Sequence, residues 1–237
     1  MTAAEIVARL IPDRVPNASA ARVSGFVVAS ARDLLIVCAP VLFQLAMVLA
    51  QSSQPGYNPL RDTISSMVWG PQGWLQTVNF ILFGALLIGL AWELRPVLAR
   101  SGWARLGGLL VLLLGAEFII LGICPTQSPG GAKDAAAVIH GLTVYFIVVS
   151  FPAACFLMAR ALRVGKLSAF IFPYTLATGV FGTGLIVLGV FLMVREAHWF
   201  GMLERVLLLN GFVWTEVVAV YFVGDGFLKR VRAFMSA

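Results

Sequence analysis

Two carboxylic acids sit inside apolar runs, where a charge is costly. Glu117 lies seven residues before Cys124, about 10 Å along a helix, and Glu216 lies eleven residues after Arg205, about 16 Å along another. An ionised acid at such depth costs several kcal/mol, on the order of 3. Each is therefore expected to be neutral, paired or facing water. His140 opens a further apolar run and is the one histidine positioned for acid–base work. Nearer the chain's polar segments stand Tyr57, Arg61, Asp62, Gln127, His198, Glu204 and Arg205. As chemistry these offer a general acid or base in His140, oriented by Asp62 or Glu117, with Arg61 or Arg205 to hold a phosphate or carboxylate. As binding groups, Tyr57, Arg61, Asp62, His140, Arg205, Glu117 and Glu216 would line a polar funnel. Each also has a plainer role. The acids could hydrogen-bond in protonated form to Asn79, Asn210 or a threonine between helices, and His140 could cap or anchor its helix.

Six apolar runs must position these groups: roughly 34–50, 74–94, 106–124, 139–158, 170–194 and 206–223. Each has the length a helix needs to cross ~30 Å of hydrocarbon. Composition agrees, with 60% hydrophobic and 12% charged residues and a mean hydropathy of +0.93. A water-soluble domain could not hide that much apolar surface. The reading is an all-α polytopic membrane bundle of six transmembrane helices. Residues 1–33 form an N-terminal tail, 34–223 the membrane domain and 224–237 a basic C-terminal tail.

Arg and Lys orient the bundle. Thirteen fall in the two tails and in the second-to-third and fourth-to-fifth connections, against four (Arg61, Lys133, Arg195, Arg205) on the other side. The positive-inside rule then puts both termini in the cytoplasm and predicts a multi-pass protein of the inner (plasma) membrane. The net charge of +6 is spent on this orientation and on anionic lipid, so no nucleic-acid partner is expected. The first run follows too long a tail for a signal peptide and is read as a retained anchor. Cys38, Cys124 and Cys155 form no paired framework, and no disulfide is expected. Two histidines without ligand spacing argue against a metal or haem site, and no cofactor is expected. The glycines at 108, 115 and 122 share a face, and Thr175, Thr178, Gly179, Gly182 and Thr183 make a second small-residue stripe. Such faces admit a close neighbour, from this chain, a second copy or another membrane protein.

The first outer loop predicts a short amphipathic interfacial helix from Asn58 to Trp69. Asn58 would cap it, Pro59 would open it and Gly70-Pro71 would stop it. Leu60, Ile64, Met67 and Val68 would form its apolar face. The segment Tyr57-Asn58-Pro59-Leu60-Arg61-Asp62-Thr63-Ile64-Ser65 resembles the first-loop signature of the domain of unknown function 998 family, six-span bacterial and archaeal membrane proteins. The resemblance continues through Phe83-Gly84, Cys124-Pro125-Thr126-Gln127, His140-Gly141 and Gly201-Met202-Leu203-Glu204-Arg205. It implies architecture and carries no activity. At one turn the chain has Cys124 and Gln127 where the family pattern has phenylalanine and often an acid.

Three functions are compatible with these residues. The first is a carrier or binding protein for membrane lipid or a small amphiphile, with a polar pocket open to the outer leaflet. The second is an intramembrane acid–base enzyme acting on a lipid headgroup, and the third is a structural subunit of a larger complex. The absence of a nucleophile elbow, P-loop or zinc motif ranks the enzyme below the binder.

Overall fold

A computed structural model of the chain describes residues 17–98, 101–165, 169–194, 198–224, 226–227, 231–232 and 235. The start of the N-terminal tail, with its Ala-rich stretch Thr2–Leu10, lies outside them, as do Arg14, Arg100, Lys166, Arg195, Lys229 and Arg230. The described residues are all-α. The long helices are α1 (Asn17–Ser52), α2 (Gly73–Glu93), α3 (Gly102–Ile123), α4 (Ala135–Gly165), α5 (Ile171–Val194) and α6 (Phe200–Ala219), the last continued by a π-turn, Val220–Gly224. A single turn, Arg95–Leu98, separates α2 from α3. All six are long and apolar enough to cross a membrane.

Local chemistry fixes several helix starts. The Ser101 side chain accepts the Ala104 amide at 3.1 Å to open α3, and Asp134 accepts the Ala137 amide at 2.8 Å to open α4. The helix that carries the first apolar run is longer than 34–50. Its apolar part, Val27–Ser52, has 26 residues, about 39 Å at helical rise. That exceeds ~30 Å of hydrocarbon and requires tilt. The extra turns bring in Asp33, 1% exposed, beside Arg32, which also pairs with Glu93 of α2 at 2.9 Å.

Each helix packs on the next long helix in sequence, and α6 packs back on α1, which closes a ring. The tightest crossing is α2 on α3. A Cβ placed on Gly84 would lie 2.4 Å from the Gly115 carbonyl oxygen, and one on Gly122 would lie 2.9 Å from the Thr77 carbonyl oxygen. Bare backbone on both sides is what allows this approach. The small residues of α5 meet α4 and α6: Gly179 faces Cys155, and Thr175 accepts the Trp214 indole N–H at 3.3 Å. These faces are thus occupied within the chain. Phe43 of α1 fills the ring's interior. Its ring centroid lies 4.6–6.2 Å from those of Phe80, Phe83, Phe118 and Phe212, within the range of favourable aromatic pairing. The three cysteines are free.

Candidate functional site

One end of the ring gathers the α1–α2, α3–α4 and α5–α6 connections, and the first of these is bound down hard. Residues 58–69 do not form the expected interfacial α-helix. Asn58 starts a turn, with its side chain accepting the Leu60 amide at 3.0 Å and its carbonyl accepting Arg61 and Asp62 amides. Only Ser65–Trp69 is helical, as a 3-10 helix. The reason lies in the apolar residues. Ile64 and Met67, each 1% exposed, turn into the bundle and not along its surface, and a continuous surface helix could not deliver them there.

Arg205, in the first turns of α6, ties this loop in place. Its Nη1 donates to the carbonyls of Pro59, Asp62 and Gly201, each at 2.9 Å. Its Nη2 donates to the Tyr57 hydroxyl, which in turn donates to the Thr63 carbonyl at 2.9 Å. Burial pushes the Tyr57 hydroxyl above its ordinary pKa, against the opposing pull of Arg205. Gly201 makes the contact possible, since a Cβ there would lie 2.5 Å from the Asp62 carbonyl oxygen. The neighbouring Glu204 accepts the Ile64 amide at 2.8 Å, and the Leu60 carbonyl accepts the Met202 amide at 3.0 Å. The Trp69 indole donates to the Thr126 carbonyl at 3.1 Å, joining the loop to the turn after α3. Arg61 is exposed and pairs with Asp62 at 2.8 Å. That guanidinium, aided by the Asn58 amide, holds the Asp62 carboxyl below the usual carboxylate range.

Beneath the loop lies a cavity of about 100 Å³ between α2, α3, α4 and α6. Its walls are largely aromatic and aliphatic, including Phe80, Phe83, Phe118, Phe151, Phe212 and Trp214, while Ser65, His140 and Glu204 contribute polar atoms at the loop end. His140 is 3% exposed. Its Nδ1 lies 2.7 Å from the Cys124 carbonyl oxygen. Cys124 caps α3 in an extended conformation, which turns that carbonyl away from the helix. A carbonyl only accepts, so Nδ1 carries a proton, and in the neutral ring the lone pair is on Nε2. Nε2 is buried with no hydrogen-bond partner among the described residues.

The other residues singled out in the sequence fall elsewhere. Tyr57, Arg205 and the Asp62 backbone meet in the loop anchor, while the Asp62 and Arg61 side chains form a separate surface pair. Neither these residues nor Glu117 and Glu216 line the cavity. Glu117, 4% exposed, accepts the Ser150 hydroxyl at 2.9 Å. Glu216 Oε2 is buried without a partner among the described residues. Asn79 and Asn210 donate to the Phe43 and Thr178 carbonyls and not to an acid. Gln127 donates to the Gly131 carbonyl at 2.7 Å within its own loop. Among the described residues no group of three or more His, Cys, Asp or Glu could hold a metal ion.

Glu204 is the site residue that sequence reasoning underweighted, because beside Arg205 it reads as half of a local ion pair. Its helical register was the available signal. Glu204, Leu207, Leu208, Gly211, Phe212 and Thr215 form one stripe at 3.6-residue spacing, and all six line the cavity.

A protein-family model described as Protein of unknown function (DUF998) matches residues 37–221. No curated protein matches, and no solved structure does.

Proposed function

The chain belongs to the DUF998 family, proteins of unknown function, and on that footing we propose that it binds a small amphiphile or part of a membrane lipid within its helical ring. The cavity carries this reading, with an aromatic depth and three polar side chains gathered at one end. That division matches a ligand with an apolar tail and a polar head, the usual composition of small-molecule sites. The Arg205-anchored loop forms a roof, and Ser65 reaches the cavity from it.

The acid–base enzyme reading has weaker support. The Cys124 carbonyl and not Asp62 or Glu117 orients His140, and Glu117 is engaged with Ser150. The subunit reading draws on glycine faces that α2–α5 use on one another.

Orientation belongs to the same proposal. The excess of Arg and Lys on the two tails and on the second-to-third and fourth-to-fifth connections puts both termini in the cytoplasm and the loop end outside, at the inner (plasma) membrane. In a chain whose own three cysteines are replaced, Ser53→Cys should label from outside intact cells and Gly165→Cys only after permeabilisation. The reverse pattern would invert the site and its accessible leaflet.

Binding itself is tested by native mass spectrometry in mild detergent. The purified chain should carry one small-amphiphile adduct, and Leu208→Trp, which fills the cavity without touching a polar group, should lose it. An adduct retained by Leu208→Trp would place the ligand elsewhere and end the proposal.

A further inference from the structure

The polar end of the cavity selects its ligand by hydrogen-bond direction. His140, which lines the cavity, gives Nδ1–H to the Cys124 carbonyl at 2.7 Å, so in the neutral ring Nε2 is an unprotonated acceptor, buried and without a partner among the described residues. The Leu121 carbonyl, a second acceptor, also adjoins the ring. Glu204 accepts the Ile64 amide through Oε2 at 2.8 Å, and its other oxygen takes no hydrogen bond among the described residues. The Ser65 hydroxyl points its proton to Thr63 Oγ1 at 3.3 Å, which leaves its oxygen lone pairs. The Arg205 guanidinium spends both terminal nitrogens on the loop and Tyr57, keeps a buried Nε without a partner among the described residues, and does not line the cavity. Among the described residues that line it, the cavity's polar end therefore offers acceptors and no cation.

Resting on the amphiphile reading above, we infer that the ligand presents a hydrogen-bond donor, a hydroxyl or an ammonium, to His140 Nε2 and Glu204, and that carboxylate and phosphate heads are excluded. The inference reverses the role expected for Arg61 and Arg205 as anion holders. An anionic head would meet the imidazole lone pair and, whenever Glu204 is ionised, its carboxylate, with no cation among the described lining residues to offset either. A donor head supplies what the buried Nε2 lacks, and leaving such an acceptor unpaired in the complex is costly. Hydroxyl and ammonium both donate but differ in charge and in donor number, and an ionised Glu204 is the group that senses the charge.

Three probes with one short chain isolate the head: 1-hexanol, hexylamine and hexanoate. The full-length protein is placed in phosphatidylcholine nanodiscs with 15N-histidine. His198→Gln leaves His140 as its one reporter, and that position lies outside the cavity lining. Hexanol and hexylamine should shift the His140 Nε2 resonance saturably, each binding about tenfold or more tightly than hexanoate, the worth of one good buried hydrogen bond. Glu204→Gln should reduce hexylamine affinity more than that of hexanol. His140→Gln, which keeps a donor for Cys124, should weaken the preference for donor heads and leave the part that Glu204 contributes. Leu208→Trp should abolish binding of every probe.

Hexanoate binding as tightly as hexanol, with the Leu208→Trp block intact, would overturn the donor-head inference and leave the amphiphile pocket standing. No saturable shift from any probe would overturn both. A protonated Nε2 in the unliganded spectrum would also overturn the inference, since the acceptor would not exist.

Discussion

Arg205→Ala is expected to be the most damaging single substitution at the loop end of the bundle, costing about 3–5 kcal/mol, the range for removing one partner from a buried charged network. One guanidinium bonds the Pro59, Asp62 and Gly201 carbonyls and the Tyr57 hydroxyl, and of these the Asp62 carbonyl alone has the Tyr57 hydroxyl as a second side-chain donor among the described residues. The loop should detach, carrying Ile64 and Met67 out of the core, and the 53–72 segment should become protease-sensitive in detergent below the melting temperature. Arg205→Lys should recover less than half the loss, because an ammonium cannot span three carbonyls and a phenol as a planar fork does. Tyr57→Phe should cost only about 1 kcal/mol, one neutral hydrogen bond's worth. Thermal unfolding in detergent orders the three. An Arg205→Ala protein melting with the wild type would show that loop packing, not the guanidinium, holds the roof.

Gly84 should be nearly as intolerant. Alanine there must move two backbones apart, because its Cβ would meet the Gly115 carbonyl oxygen at 2.4 Å and the Ile119 amide nitrogen at 2.9 Å. Neither group is the yielding end of a side chain. The expected cost of Gly84→Ala is about 1–3 kcal/mol, typical of overpacking, and Gly84→Leu should fail to assemble. Gly184→Ala is the internal control: nothing lies within 4 Å of its added Cβ, and alanine favours a helix by up to ~1 kcal/mol over glycine. It should therefore be neutral or slightly stabilising. Equal melting temperatures for Gly84→Ala and Gly184→Ala would mean that α2 and α3 do not pack as described.

The six spans could be read in the sequence because bilayer thickness imposes one length on all of them. Their ends could not be read as well. Asp33 marks a polar limit by hydropathy, yet α1 continues through it and buries it, since a charge can enter the bundle's interior near the Arg32–Glu93 pair. The 58–69 segment shows a different limit. Leu60, Ile64, Met67 and Val68 fit a helical face, but periodicity does not say whether that face meets lipid or protein. Here Ile64 and Met67 point inward while Leu60 stays half exposed. Among candidate site residues, His140 was legible as a buried titratable group at a helix start. The partner that fixes its tautomer was not, because a backbone carbonyl leaves no trace in residue identity. The same holds for Arg205, whose partners are mostly carbonyls; for Glu117 the obstacle is distance along the chain, since its serine donor is 33 positions away.

The closure of the ring by α6 on α1 sets an order of assembly. During synthesis the first five spans make an open arc, and the fifth and sixth spans emerge after the wall that holds His140 and Glu117. Until α6 inserts, the wall that holds His140 has no α6 to cover it, Phe43 lacks Phe212, and the loop between the first two spans has no Arg205 to fasten it. A nascent chain halted after residue 199 should accordingly be retained by membrane quality control. Supplying the sixth span as a separate polypeptide should rescue it, because that span meets the rest of the chain through lateral packing and through the loop it fastens, neither of which needs a covalent link.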